Sequence, residues 1–209
     1  VASPTPGVAM GAWSAEPGIR AGRVWYRLEP AQRPDGGRAL HLHYRFTADA
    51  ASDIGWQLTL PDLDATAYDH LEFWIRGDDH AGFADALKVE FKQPLPNAPP
   101  GLLRQGSAEV VGINGDWQRI RVPLNLMNGI ADWRHLRQFG IVLQPRRSPA
   151  GSGAYWLDDV ALIRTSQPGP TIRDPVIPPI KTAWENRMGG KTAAQPQIHA
   201  RLAGWPERL

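Results

Sequence analysis

Cysteine is missing from all 209 residues, which excludes a disulfide framework and thiolate metal sites and leaves the redox compartment open. Long apolar runs are missing too: nothing approaches the roughly 18 residues of a membrane helix. The opening Val1-Ala2-Ser3-Pro4-Thr5-Pro6-Gly7 has neither the charged nor the apolar region of an intact signal peptide. It reads either as the start left after signal cleavage or as an arbitrary boundary. A basic excess is also lacking where the chain is expected to fold. Residues 164–209 hold seven Lys/Arg against three Asp/Glu, and residues 1–163 hold sixteen against eighteen. A nucleic-acid-binding domain carries its basic excess on the folded part, so neither nucleic acid nor membrane is an expected partner.

What is present points to strands. A hydrophobic fraction of 42% supports a core, while 21 Gly and 20 Pro call for many turns. Short alternating runs bounded by Gly, Pro, Asn and Asp fall at 39–46, 56–60, 71–76, 87–92, 117–122, 139–144 and 155–163, with a weaker one within 24–28. This is the pattern of an all-β sandwich or barrel. Only 132–138 reads as a helical turn, with Asp132 as N-cap. After Thr165 the pattern stops. Gln167-Pro168-Gly169-Pro170 and Pro175-Val176-Ile177-Pro178-Pro179 remove ladder donors. Three parts follow: an extension at 1–9, a folded module at 10–165, and a Pro-rich, mostly irregular tail at 166–209. The tail, with Trp184 and Trp205, is either a linker or an arm that docks on a further domain.

Period-two alternation sorts the faces. Leu40, Leu42, Tyr44 and Phe46 share one side, leaving His41, His43 and Arg45 on the other. Leu71, Phe73 and Ile75 oppose Glu72, Trp74 and Arg76. Leu87, Val89 and Phe91 oppose Lys88, Glu90 and Lys92, and Phe139, Ile141 and Leu143 place Gln144 on the open side. If these four strands share a sheet, their outer face is one tryptophan among His, Arg, Lys, Glu and Gln. Such a face suits a single glycan chain: the indole stacks on the C–H face of a sugar while planar polar groups bond its hydroxyls. The plainer alternatives are ordinary solvation for Lys88, Glu90 and Lys92, and packing beneath a loop for Trp74.

The segment 63–78, which includes His70-Leu71-Glu72-Phe73-Trp74-Ile75-Arg76-Gly77, resembles galactose-binding-like β-sandwich carbohydrate-binding modules. So do Asp116-Trp117-Gln118-Arg119-Ile120, Tyr155-Trp156-Leu157-Asp158-Asp159-Val160 and Gly36-Gly37-Arg38-Ala39-Leu40. The resemblance spans about 10–165 and implies a jelly-roll fold. It also implies a non-catalytic glycan- or polysaccharide-binding role, often beside a glycoside hydrolase or lyase domain, and a secreted or periplasmic setting. The same fold serves protein–protein contact and assembly factors, so an interdomain role stays open. Such modules commonly hold a structural Ca²⁺ with an Asp of the last strand as ligand. Asp158 shares the phase of Val160 and Leu162, and an inward carboxylate would be relieved by Ca²⁺ together with Glu16 or Asp35. The alternative is that Asp158 bonds a backbone turn.

Two other chemistries are weighed and set aside. A glycosidase pair drawn from Glu72 and Glu90 would need neighbouring strands, and the adjacent Arg76, Lys88 and Lys92 favour ion-paired binding groups instead. His41 and His43 share a face, but no third zinc ligand is evident. The expected site is therefore Trp74, Arg76, His41, His43, Glu72, Lys88, Glu90 and Gln144, with Asp158, Glu16 and Asp35 for the metal.

Overall fold

The computed structural model describes residues 10–13, 21–30, 37–95, 99 and 102–165, and the backbone of 197–201. The strands in chain order are β1 (Met10–Trp13), β2 (Gly22–Pro30), β3 (Arg38–Phe46), β4 (Ile54–Leu63), β5 (His70–Gly77) and β6 (Ala86–Pro94). They continue with β7 (Leu103–Val111), β8 (Gln118–Pro123), β9 (Leu136–Leu143), β10 (Ser152–Arg164) and β11 (Gln197–Arg201). All pair antiparallel, in two sheets. One has the order β1-β4-β9-β6-β7 and the other β2-β3-β10-β5-β8, with β11 alongside the end of β10. They are called here the β9 sheet and the β10 sheet, after their central strands. The all-β, jelly-roll-like sandwich expected from the sequence is present.

Alternation drives this arrangement. Trp56 and Leu58 of β4, Val89 and Phe91 of β6, and Phe139 and Ile141 of β9 point inward. They meet Leu42 and Tyr44 of β3, Phe73 and Ile75 of β5, and Tyr155 and Leu157 of β10, and all of these are buried. Each such side chain contributes about 1.5–3 kcal/mol when withdrawn from water. Two polar ties anchor loops to this core. Ser148 Oγ donates to Tyr44 Oη at 2.7 Å, and the Ala84 N–H donates to Tyr44 Oη at 3.1 Å. At the far end of β10, Asp69 accepts from the backbone N–H of Thr165 (3.0 Å) and from its hydroxyl (2.7 Å), clasping the residue that follows β10.

Three sequence expectations change. The segment 132–138 is not helical; β9 begins at Leu136. The Asp132 carboxylate does accept from the Arg134 N–H at 3.0 Å, but it closes a local turn that imitates an N-cap. The strands β1 and β7 are not expected from the sequence, nor is β11, which falls in the tail expected to be mostly irregular. Finally, β3 and β5 lie in the β10 sheet whereas β6 and β9 lie in the β9 sheet, so the four strands expected to share one face do not.

Candidate functional site

That division separates the expected site into two opposite outer faces. His41, His43, Glu72, Trp74 and Arg76 lie on the β10 sheet. Lys88, Glu90 and Gln144 lie on, or at the end of, the β9 sheet. Their outward phase is as expected; their common trough is not. The Glu72–Glu90 pair is likewise ruled out as a catalytic couple, because the core stands between the two carboxylates.

On the β10 sheet, register builds a continuous layer of rings and cations. One rung runs Arg27, His41, Trp156, Arg76 across β2, β3, β10 and β5, with Trp117, just before β8, beside Arg76. The His41 ring stacks on Trp156 at 3.8 Å, and the Arg76 guanidinium lies 5.3 Å from Trp156 and 5.4 Å from Trp117. One rung over, Trp25 stacks on His43 at 5.3 Å with an interplanar angle of 3°. The polar atoms here are largely engaged within the protein. Both His41 nitrogens lie at hydrogen-bond distance from carboxylate oxygens, Glu29 Oε2 (3.0 Å) and Asp78 Oδ2 (2.9 Å). Both Glu72 oxygens accept, from Arg119 and Arg121. Burial, and then the neighbouring His41, lower the His43 pKa. Burial opposes the Asp78 charge, but the N–H groups of Ala81 and His80 and the His41 ring outweigh it and hold its pKa below the ordinary value.

Trp74 is half-buried on this same face, opposite Asp158 and Arg119. Asp158 does not point inward. The register shifts between Asp158 and Ala161, where Asp159 takes a φ of 49°, and this bulge puts Asp158 out of phase with the buried Val160 and Leu162. Asp158 accepts from the Asp159 N–H at 2.8 Å, which is the backbone-turn alternative. Glu16 and Asp35 lie outside the described residues. Among the described residues no three His, Cys, Asp or Glu side chains converge to hold a metal.

The β9 sheet presents a different surface. Two glycines, Gly55 on β4 and Gly140 on β9, form part of its floor. The Trp13 indole of β1 lies over Gly55, with ring carbons 2.8 Å from where a Cβ would stand. A Cβ on Gly140 would meet the Glu90 side chain at 3.2 Å. Around this floor stand Gln57 and Thr59 of β4, Gln138 of β9 and Ser107 of β7, all half-buried. These four side chains make no hydrogen bond among the described residues. Lys92 Nζ lies 3.3 Å from Glu90 Oε1 and 5.7 Å from the Trp13 ring. Lys88 Nζ lies 3.7 Å from Asp53 Oδ2, which also accepts from Gln144 Nε2 at 3.2 Å. An aromatic plate seated on Gly55, a low floor at Gly140 beside Glu90, and amides and hydroxyls without protein partners along it can hold a polyhydroxylated ring by stacking and paired hydrogen bonds.

Sequence reasoning overlooked Trp13, Gln57, Thr59 and Gln138. The available signal was glycine inside two strands, Ile54-Gly55-Trp56 and Phe139-Gly140-Ile141, since strand glycine often marks a close approach from outside the sheet.

Neither a protein-family model nor a curated protein sequence matches the chain. Solved structures do. A family 11 carbohydrate-binding module from Clostridium thermocellum, in complex with a β-1,3-1,4-mixed-linked tetrasaccharide, superposes with a TM-score of 0.56 at 14% identity. It covers 75% of this chain and 88% of its own. The family 11 module of the cellulosomal cellulase Lic26A-Cel5E of the same organism gives 0.53 at 15% identity, covering 72% and 85%. A family 30 carbohydrate-binding module gives 0.51 at 17% identity, covering 71% and 79%. At such identities the likeness is one of architecture: the chain has the two-sheet β-sandwich fold of the family 11 and family 30 carbohydrate-binding modules.

Proposed function

We propose that the chain is a non-catalytic carbohydrate-binding module whose ligand lies on the outer face of the β9 sheet. The observation that carries this reading is the set of unpartnered Gln57, Thr59 and Gln138 side chains beside the Gly55–Gly140 floor and the Trp13 plate. Half-buried amides that bond nothing in the protein are suited to ligand hydroxyls, and each such bond contributes about 0.5–1.5 kcal/mol net. The binding of a mixed-linked tetrasaccharide by a protein of the same fold supports the ligand class. An open, mostly polar face gives affinities of about millimolar to micromolar. Weak attachment of this kind serves to hold a glycan-active enzyme near a soluble polysaccharide, in a secreted or periplasmic setting.

The test is titration of the protein with neutral gluco-oligosaccharides by calorimetry and by NMR. Trp13→Ala is expected to weaken binding at least about tenfold, while Trp74→Ala, on the opposite face, leaves it unchanged. The reverse pattern would move the site to the β10 sheet. Silence across a broad glycan array would remove the reading.

A second role, packing against an attached catalytic domain, is favoured by one observation. The β10 face gathers Trp25, Trp74, Trp117 and Trp156 with several arginines, the residue types that dominate protein interfaces. The two roles use opposite faces and are compatible.

A further inference from the structure

Beyond the neutral groove, the same surface runs into a cleft of about 1140 Å³ at one end of the sandwich. Its walls come from the β3–β4 connection, with Thr47, Ala50 and Asp53, and from the β9–β10 connection, with Gln144, Arg146 and Ser148. Arg45, near the end of β3 and on the β10-sheet side of the cleft beside Ser152, completes the lining at its other margin. The cleft meets the groove at Asp53 and Gln144, which are hydrogen-bonded to each other and lie beside Lys88.

The charges in this cleft are unevenly matched. Asp53 faces Lys88, and Arg147 outside the lining pairs with Glu109 at 2.7 Å. Arg45 has no carboxylate partner among the described residues. Arg146 has only a long contact, 3.5 Å, to the neutral Gln144 amide. Two exposed arginines therefore line one concavity, and neither is paired with a carboxylate among the described residues. The walls are built rather than loose. The short 3₁₀ turn Pro145–Arg147 that carries Arg146 is followed by Ser148, whose hydroxyl is tied to the buried Tyr44. The Phe46 N–H donates to the Gly151 carbonyl at 2.7 Å, joining the two walls. A pre-organised cationic cleft costs little to order around an anion, and a planar guanidinium donates paired hydrogen bonds to a carboxylate or sulfate.

We infer that the cleft lined by Arg45 and Arg146 is an anionic-saccharide subsite, so that the preferred ligand is a glycan bearing a uronate carboxylate or a sulfate ester at the unit lying beyond the neutral groove. This rests on the carbohydrate reading of the β9 face. Neutral sugar units lie over the glycine floor, and the charged unit follows past Gln144.

The intact chain is titrated with three oligosaccharides of equal length: a neutral one, an oligouronate and a sulfated one. At least one anionic ligand is expected to bind about tenfold or more tightly than the neutral one. That preference shrinks as salt rises from about 50 to about 500 mM, because exposed charges are screened. The Arg45→Ala/Arg146→Ala double variant abolishes the preference while leaving neutral-ligand affinity and thermal midpoint unchanged. Which anionic ligand gains shows whether the subsite takes carboxylate or sulfate. Equal binding of neutral and anionic ligands, or a preference that survives the double variant, overturns the inference and leaves the carbohydrate reading standing. If no ligand of any class binds, both fall together.

Discussion

Replacing Gly140 with alanine separates binding from stability in a way the structure makes quantitative. The new methyl would stand 3.2 Å from Glu90 Cγ and 3.5 Å from Glu90 Oε1 and the Trp56 carbonyl oxygen. Glu90 is an adjustable side chain, so a shift of a few tenths of an ångström suffices, and loss of glycine's unfolded-state freedom partly offsets the crowding. Stability should move by less than about 1 kcal/mol. Binding should not be spared. A methyl rising from the floor lifts a sugar ring away from Gln57 and Gln138, and losing two hydrogen bonds costs about 1–3 kcal/mol, or roughly 5- to 150-fold in Kd. Gly55→Ala supplies the contrast. Its Cβ would collide with the Ile141 carbonyl oxygen and with the Trp13 ring, and backbone cannot yield as a side chain can, so about 1–3 kcal/mol of stability should be lost. Urea unfolding and calorimetric titration of both variants read the two effects. A Gly140→Ala protein that folds normally and binds neutral oligosaccharide with unchanged affinity would show that the ligand does not approach this floor.

Other outcomes follow from the opposite sheet and the loops. Glu72→Gln leaves Arg119 and Arg121 facing a neutral amide and should lower stability by about 1–3 kcal/mol in denaturant titration, without changing glycan affinity. Ser148→Ala removes one of the two hydrogen bonds to the buried Tyr44 hydroxyl and should cost about 0.5–1.5 kcal/mol, with faster hydrogen exchange at residues 145–151. The acid response has two windows. His43 has a lowered folded pKa, so the unfolded chain binds its proton more tightly, and stability should begin to fall as pH drops below about 6.5; His43→Gln removes that limb. Burial opposes the Asp69 charge, but bonds from His70 and Thr165 outweigh it and lower its pKa. Its contribution is therefore full above the ordinary value near 3.8, lost as pH falls through the lower folded value, and absent in Asp69→Asn. Thermal midpoints measured from pH 8 to pH 2 check both.

The strands themselves were legible, because Leu40-His41-Leu42-His43-Tyr44 and its counterparts can bury only one side. For that reason His41, Trp74, Arg76, Lys88 and Glu90 were placed correctly outward. Sheet membership was not legible. The partner of β9 on each side, β4 and β6, is chosen by long-range packing, and period-two patterning is identical in either sheet. Asp158 was misplaced by a single inserted residue, since a bulge shifts every later side chain to the other face. Asp132 misled in another way: an Asp that caps a turn and one that caps a helix make the same first hydrogen bond. Trp13 was missed because β1 has four residues, too few for alternation to register.

The Asp69–Thr165 clasp has a mechanical meaning. It sits where β10, the middle strand of its sheet, hands over to the segment that follows. A pull applied there is directed along β10, so the hydrogen bonds to β5 and β3 are loaded side by side rather than opened one after another. A load along β10 at Thr165 is thus met by many hydrogen bonds at once, with the aspartate as the first stitch to give.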